Sequence, residues 1–277
     1  MGVDVLFIIA PAAALVGLAI RAYRSSPSLV EPWAHERGLE IDSTNRAMVG
    51  WYLRTSRTLR LLGVLAGFVL APLTGLALGD QGLGAGHVWL AAVAGYLGGV
   101  AYAEIALRRP AGSVASMRRR ELSDYLSPWA RRAQRRTAVF AGFCAGAAVA
   151  VPMRDPSLVS QPARVPMLVA VPLVWAGVEA LQRWLIQRPQ PVVAASLLRA
   201  DDAIRRQSVH SIAGAGMGLQ WLLAGASMWA LAGSDVQILR WTMWIAGQLA
   251  WVIALGACTH YDSGVWQRRT EEPAGAC

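Results

Sequence analysis

The chain contains no lysine. Its 26 basic residues are all arginine, set against 17 acidic ones, for a formal charge of +9. Cysteine is scarce as well. Cys144, Cys258 and Cys277 are odd in number and show no metal-type spacing, which argues against a disulfide framework and gives no zinc ligand set. His35, His87, His210 and His260 share no ligand spacing, and no Ser-His-Asp or Cys-His order emerges. No Walker loop is present, so ATP hydrolysis by that scheme is excluded. The opening Met-Gly-Val-Asp lacks a basic n-region, so the first apolar run reads as a retained helix and not a cleaved signal. Chemistry-bearing motifs being absent, the information lies in where apolar and basic residues fall.

Hydrophobic residues make up 55% of the chain and gather into seven runs. These are Asp4 to Arg21, Leu61 to Gly79, Val88 to Leu107, Thr137 to Met153, Pro166 to Ile186, Ser211 to Ala232 and Trp241 to Cys258. Each approaches the ~20 residues that a helix needs to cross ~30 Å of hydrocarbon. Lipid offers no hydrogen-bond partner, so such runs are expected to be helical. The segments following runs one, three, five and seven hold seven, nine, five and two arginines, while the other side holds only Arg154, Arg164 and Arg240. This positive-inside bias predicts an amino terminus outside and a carboxyl terminus in the cytosol. Abundant Ala, Gly and Arg without Lys points to a high-GC bacterial genome, hence a bacterial plasma (inner) membrane. The charge is then topogenic and directed at anionic inner-leaflet lipids; nucleic-acid binding is the weaker account.

A period near 75 residues runs through the chain. Arg57, Arg132 and Arg206 are 75 and 74 apart, each leading into an apolar run with an Ala-Gly pair; Glu104 and Glu179 are also 75 apart. The expected fold is an all-α integral membrane domain spanning residues 1–277. It would be a seven-helix transmembrane bundle of three inward–loop–outward hairpin repeats (about 4–79, 88–153 and 166–232), a final helix (238–260) and a cytosolic tail (261–277). Glycines four apart (Gly63/Gly67, Gly95/Gly99, Gly142/Gly146, Gly214/Gly218) are expected to bring helix backbones together. Asp42-Ser43-Thr44, Ser127-Pro128 and Asp201-Asp202 read as helix starts in the cytosol. Trp51, Tyr52, Trp129, Trp184 and Trp266 read as inner-interface anchors, with Trp89, Trp229, Trp241 and Trp244 at the outer one.

Glu104 and Glu179 are the notable carboxylates within apolar sequence, where charge is costly and usually paired. The structural reading pairs Glu104 with Arg132 or Arg135, and Glu179 with Arg183 or Arg206. The functional reading makes them coupling carboxylates in a cavity. Both lie near the inner boundary, which favours the structural one. Asp201-Asp202-Ala-Ile-Arg205-Arg206 is the most enzyme-like string: paired carboxylates suit Mg²⁺ and arginines suit phosphate. The further carboxylates that such sites need are missing, and helix capping explains Asp201 and Asp202 equally well. No cofactor is expected.

The strings Arg109-Pro110, Leu122-Ser-Asp124-Tyr125-Leu126, Trp129-Ala130, Arg188-Pro189-Gln-Pro and Asp201-Asp202-Ala-Ile-Arg205 resemble those of actinobacterial multipass membrane proteins of unassigned activity. The resemblance covers a third to a half of the chain. It implies a transport context, with a transport ATPase as a possible cytosolic partner, and no functional residues. The expected function is a permease or accessory subunit working with a separate energising partner. The alternatives are a membrane enzyme acting on a lipid-linked substrate at the inner leaflet, or a non-catalytic scaffold.

Overall fold

Helices account for nearly all the ordered secondary structure. The computed structural model describes residues 29–77, 85–106, 120–154, 164–189 and 194–231, together with Gly17 and a few positions between 241 and 253. Among the described residues there are six helices and no strand: α1 (Val30–His35), α2 (Arg46–Ala77), α3 (Ala85–Ala106), α4 (Pro128–Arg154), α5 (Arg164–Gln187) and α6 (Ala195–Leu231). A 3-10 turn, Leu122–Asp124, precedes α4.

Local chemistry explains where these helices start. Asp42 accepts from the backbone N–H groups of Thr44 and Asn45, each at 2.8 Å, while Asn45 Oδ1 accepts from the Asp42 N–H at 3.0 Å. That reciprocal pair opens α2. The hydrogen bonds, led by the one from Asn45, hold the Asp42 carboxyl below its ordinary range. Ser127 Oγ accepts from Ala130 at 3.2 Å, with Pro128 at the first helical position of α4. Asp201 and Asp202 depart from expectation: α6 already begins at Ala195, so both lie inside the helix and neither caps it. With 37 residues, α6 extends about 55 Å, and α2 with 32 is nearly as long. Both are longer than the ~30 Å of a bilayer's hydrocarbon layer.

The tightest seam joins α2 to α3. A methyl group at Gly63 would stand 2.9 Å from the carbonyl carbon of Gly95, one at Gly67 would stand 2.7 Å from Cα of Ala92, and one at Gly99 would stand 3.0 Å from Cα of Arg60. Only hydrogen fits at such separations, so these glycines set the interaxial distance. Gly142 and Gly146 do not act alike. The first meets only a Val171 methyl at 3.8 Å and the second meets nothing within 4 Å.

Around this pair the bundle is organised on α6, which packs against α4, α5 and α3 and touches α2. Residues 207–220 of α6 are buried without interruption. One apolar cluster unites Val100, Leu126, Val178, Leu185, Val209 and Ile212 across α3, α5 and α6. Another joins Val30, Trp33, Val49, Tyr52, Ala200 and Ile204 at the other end of α6. Pro172 interrupts the hydrogen bonding of α5, and Gln220 of α6 donates to the neighbouring Val171 carbonyl at 3.1 Å.

Two expectations need correction. The second hairpin unit, 88–153, does not pack as a hairpin: α3 lies on α2 and α6, whereas α4 lies on α6 and α5. The glycine seam draws α3 to α2, and the long apolar surface of α6 takes the other face of each. Tyr52 is no interfacial anchor either. It is buried beside Trp33, with ring centroids 6.2 Å apart, and its hydroxyl lies 3.2 Å from Ser208 Oγ.

Among the described residues one helix, over Pro166–Gln187, is long and apolar enough to cross a membrane, and only 28% of its most apolar window is buried. Four of the other six expected runs coincide with parts of other helices, the seventh with scattered helical positions, and the first lies outside the described residues save Gly17. Of the seventh, Trp241, Ile245, Leu249 and Ile253 are helical, four apart and exposed.

Candidate functional site

The amino-terminal half of α6 gathers the buried polar groups. Arg205 is wholly buried. Its Nε donates to Asp201 Oδ2 at 2.9 Å, one helical turn earlier. Its Nη1 donates to the carbonyls of Leu185 (3.1 Å) and Arg188 (2.8 Å), and its Nη2 to Pro189 (3.3 Å). Those carbonyls belong to the end of α5, where the last turn of a helix has no backbone donors. A cation there also complements the helix dipole. Arg205 therefore bolts α6 to the end of α5, and Asp201 neutralises it. Asp202 accepts from the Tyr125 hydroxyl at 3.4 Å, and burial followed by the Asp202 charge pushes the Tyr125 pKa up.

A second arginine closes the opposite side. Gly38, at φ +59°, ends the turn after α1 in the left-handed region, and Leu39 N–H returns to the Ala34 carbonyl at 2.9 Å. This places Arg37 over the Trp33 ring at 4.5 Å, with Nη1 donating to the Trp33 carbonyl at 3.0 Å and Nη2 donating to Gln207 Oε1. One turn beyond Arg206, His210 Nδ1 lies 2.8 Å from the Arg206 carbonyl. Burial holds the His210 pKa below its ordinary range, and the charges of Arg206 and Arg37 act in the same direction against the carbonyl contact.

The expected carboxylate pairing is present in one unit. Arg183 Nη2 donates to Glu179 Oε2 at 3.3 Å; the carboxylate is 14% exposed and the arginine side chain 67%. The side chain of Glu104 lies outside the described residues. Arg57 and Arg206 are half-buried, whereas Arg132 is exposed with Nε donating to the Pro128 carbonyl at 3.2 Å, so the three repeat arginines differ in surroundings. Between α4 and α5, Gln182 Nε2 donates to Gln134 Oε1 at 3.4 Å in a buried amide pair.

A cleft of about 530 Å³ lies where the 3-10 turn, the start of α4 and the end of α5 meet. Arg120, Arg131, Arg183 and Arg188 line it, with Glu121 and Ser123. Arg188 stands over the Trp184 ring at 5.6 Å, and its carbonyl accepts from Arg120 at 3.5 Å as well as from Arg205. Glu121 is engaged locally, accepting from Ser123 Oγ at 3.4 Å and closing the capping box of the 3-10 turn.

Among the candidates taken from the sequence, Asp201, Asp202 and Arg205 do share one locality. Arg205 turns its donors to Asp201 and to α5 carbonyls, which accounts for the pair structurally. Arg120, Arg131 and Arg188 had no visible role in the sequence, because their convergence depends on how α4 and α5 pack. Among the described residues no cluster of three or more His, Cys, Asp or Glu side chains could hold a metal ion. No protein-family model, curated protein or solved structure matches the chain.

Proposed function

We propose that this chain is a multipass protein of a bacterial inner membrane, amino terminus outside, that serves as an accessory subunit of a transport system energised by a separate cytosolic partner. The observation that carries the membrane reading is the outward apolar face of α4 and α5. Val139 and Phe143 are each 74% exposed and Leu173 is 64% exposed, on helices whose inward faces are well packed. Large apolar side chains exposed in this way suit lipid and would be a liability in water. Uncharged stretches at 61–77, 85–103, 137–153 and 211–231 add four further segments of near-spanning length, and the arginine asymmetry orients them.

The accessory role follows from how the polar groups are spent. Gln134 meets Gln182, Tyr52 meets Ser208, Gln220 meets a backbone carbonyl, and Arg205 meets Asp201 and the α5 terminus. These contacts tie helices to one another and favour a rigid bundle over a coupling pathway. The cationic groups instead collect at the cytosolic helix ends, where a partner would dock. An enzyme acting on a lipid-linked substrate would need Asp201 available as a ligand, and Arg205 holds it.

Gentle extraction from the membrane followed by proteoliposome assays tests this reading. It expects a stoichiometric co-purifying ATPase, nucleotide-dependent solute movement with both proteins, and none with this chain alone. Movement driven by an ion gradient through this chain alone would make it a permease and overturn the accessory role.

A further inference from the structure

Four arginines, of which Arg183 also pairs with Glu179, converge on the cleft between α4 and α5. Resting on the membrane reading above, we propose that it binds a phosphate-bearing anion, and that in the cell this is the head group of an anionic inner-leaflet phospholipid. Four arginines from two helices and the preceding turn line one cavity, and Glu121, the carboxylate beside them, is occupied by Ser123 and its own turn. Like charges gathered around a common space repel, and a bound anion removes that repulsion. The guanidinium fork matches phosphate oxygens in pairs, which an ammonium does not.

The cleft is also preorganised. Arg188 lies over Trp184, and its backbone is held by Arg205 and Arg120, so part of the site is fixed before any ligand arrives. Its volume of about 530 Å³ suits a head group or a small phosphate compound.

Depth favours the lipid. Trp184 on α5 is half-exposed and sits where that helix passes from apolar to arginine-bearing sequence. Tryptophans in that setting mark the head-group layer. Basic pockets between helices on the cytosolic side are where anionic head groups bind.

The test uses the full chain in a neutral detergent, with three probes: phosphatidylglycerol, phosphatidylcholine of the same acyl chains, and inorganic phosphate. Thermal midpoint and native mass spectrometry report binding. Arg131→Gln/Arg188→Gln is compared with Arg46→Gln/Arg136→Gln, which removes equal charge away from the cleft. We expect phosphatidylglycerol to raise the midpoint of the wild type and the control, with a lipid retained in the mass spectrum. The cleft variant should bind it roughly a hundredfold more weakly, at about tenfold per arginine.

Arg131→Lys/Arg188→Lys keeps the charge and should bind with intermediate strength; if the Gln pair does not fold, this variant decides the question. Stabilisation by inorganic phosphate but not by phosphatidylglycerol keeps the phosphate site and overturns the lipid assignment. Equal losses in cleft and control variants, or equal responses to the two phospholipids, overturn the site altogether. Failure of the membrane reading is read separately, from maleimide labelling at Phe143.

Discussion

Arg205 offers the sharpest energetic test. Arg205→Met keeps much of the side-chain volume but removes four hydrogen bonds together. The Asp201 carboxylate loses its cation, and the carbonyls of Leu185, Arg188 and Pro189 lose their donor. Breaking one half of a buried pair typically costs ~3–5 kcal/mol. The carbonyls would add about 1 kcal/mol each if dry, and less here because the adjoining cleft admits water. A total near 4 kcal/mol is expected, or roughly 10 °C in thermal midpoint for a chain of this size. Asp201→Asn should cost only about 1–2 kcal/mol, since the amide oxygen still accepts from Nε and the other three bonds survive. The double variant should fall short of the sum by at least ~1 kcal/mol, because the two side chains share a contact. Thermal unfolding in detergent, followed by circular dichroism, measures all three. If Arg205→Met costs no more than Arg183→Met, or if Asp201→Asn is equally damaging, the bolting role is refuted.

Three other outcomes follow from the same geometry. Gly95→Ala should destabilise by ~1–3 kcal/mol through collision with α2, whereas Gly146→Ala should be neutral within ~0.5 kcal/mol, and chemical denaturation separates them. Glu179→Ala should cost at most ~1 kcal/mol, because the Arg183 side chain it pairs with is 67% exposed and water screens the contact; a loss above 2 kcal/mol would contradict this. Burial depresses the His210 pKa, so below about 6.5 the unfolded chain takes up a proton that the folded chain refuses. Stability should therefore fall as pH drops from 7 to 5, and His210→Gln should flatten that slope in a pH series of unfolding midpoints.

Local signals were the legible part of this chain. Asp42 and Ser127-Pro128 mark helix starts because a cap is written within four residues, and the α5 boundaries lie within two residues of one apolar run that Glu179, Gln182 and Arg183 break only near its end. Glu179 and Arg183 stand one helical turn apart, so their pairing is readable from spacing alone. The glycine spacing was legible as a possibility and not as a location. Gly63, Gly95 and Gly99 meet backbone while Gly146 meets nothing, and only the choice of neighbour decides which. The period near 75 residues predicted local pairing of α3 with α4, and tertiary competition for α6 overrode it.

What stayed hidden depends on contacts far apart in sequence. Arg37 reaches Gln207 across 170 residues, and Tyr52 reaches Ser208 across 156. Asp201 and Asp202 carry the same residue types as a metal site. Asp201 and Arg205 stand one helical turn apart, but that Arg205 also holds the end of α5, and that Asp202 accepts from Tyr125, appears only once the chain is folded. The arginine cleft was invisible for the same reason, since its lining comes from a turn and two helices.

Cysteine accessibility in sealed membrane vesicles tests the membrane reading most directly. In a background without native cysteines, Phe143→Cys and Leu173→Cys would occupy positions that are 74% and 64% exposed. Lipid around them should make both unreactive to a membrane-impermeant maleimide until detergent denaturation, while Ser123→Cys, in the 3-10 turn that the proposed orientation puts in the cytosol, should label in inside-out vesicles and not in right-side-out ones. Rapid labelling of Phe143→Cys and Leu173→Cys in intact vesicles, at the rate of Ser123→Cys, would place that apolar face in water and contradict the account.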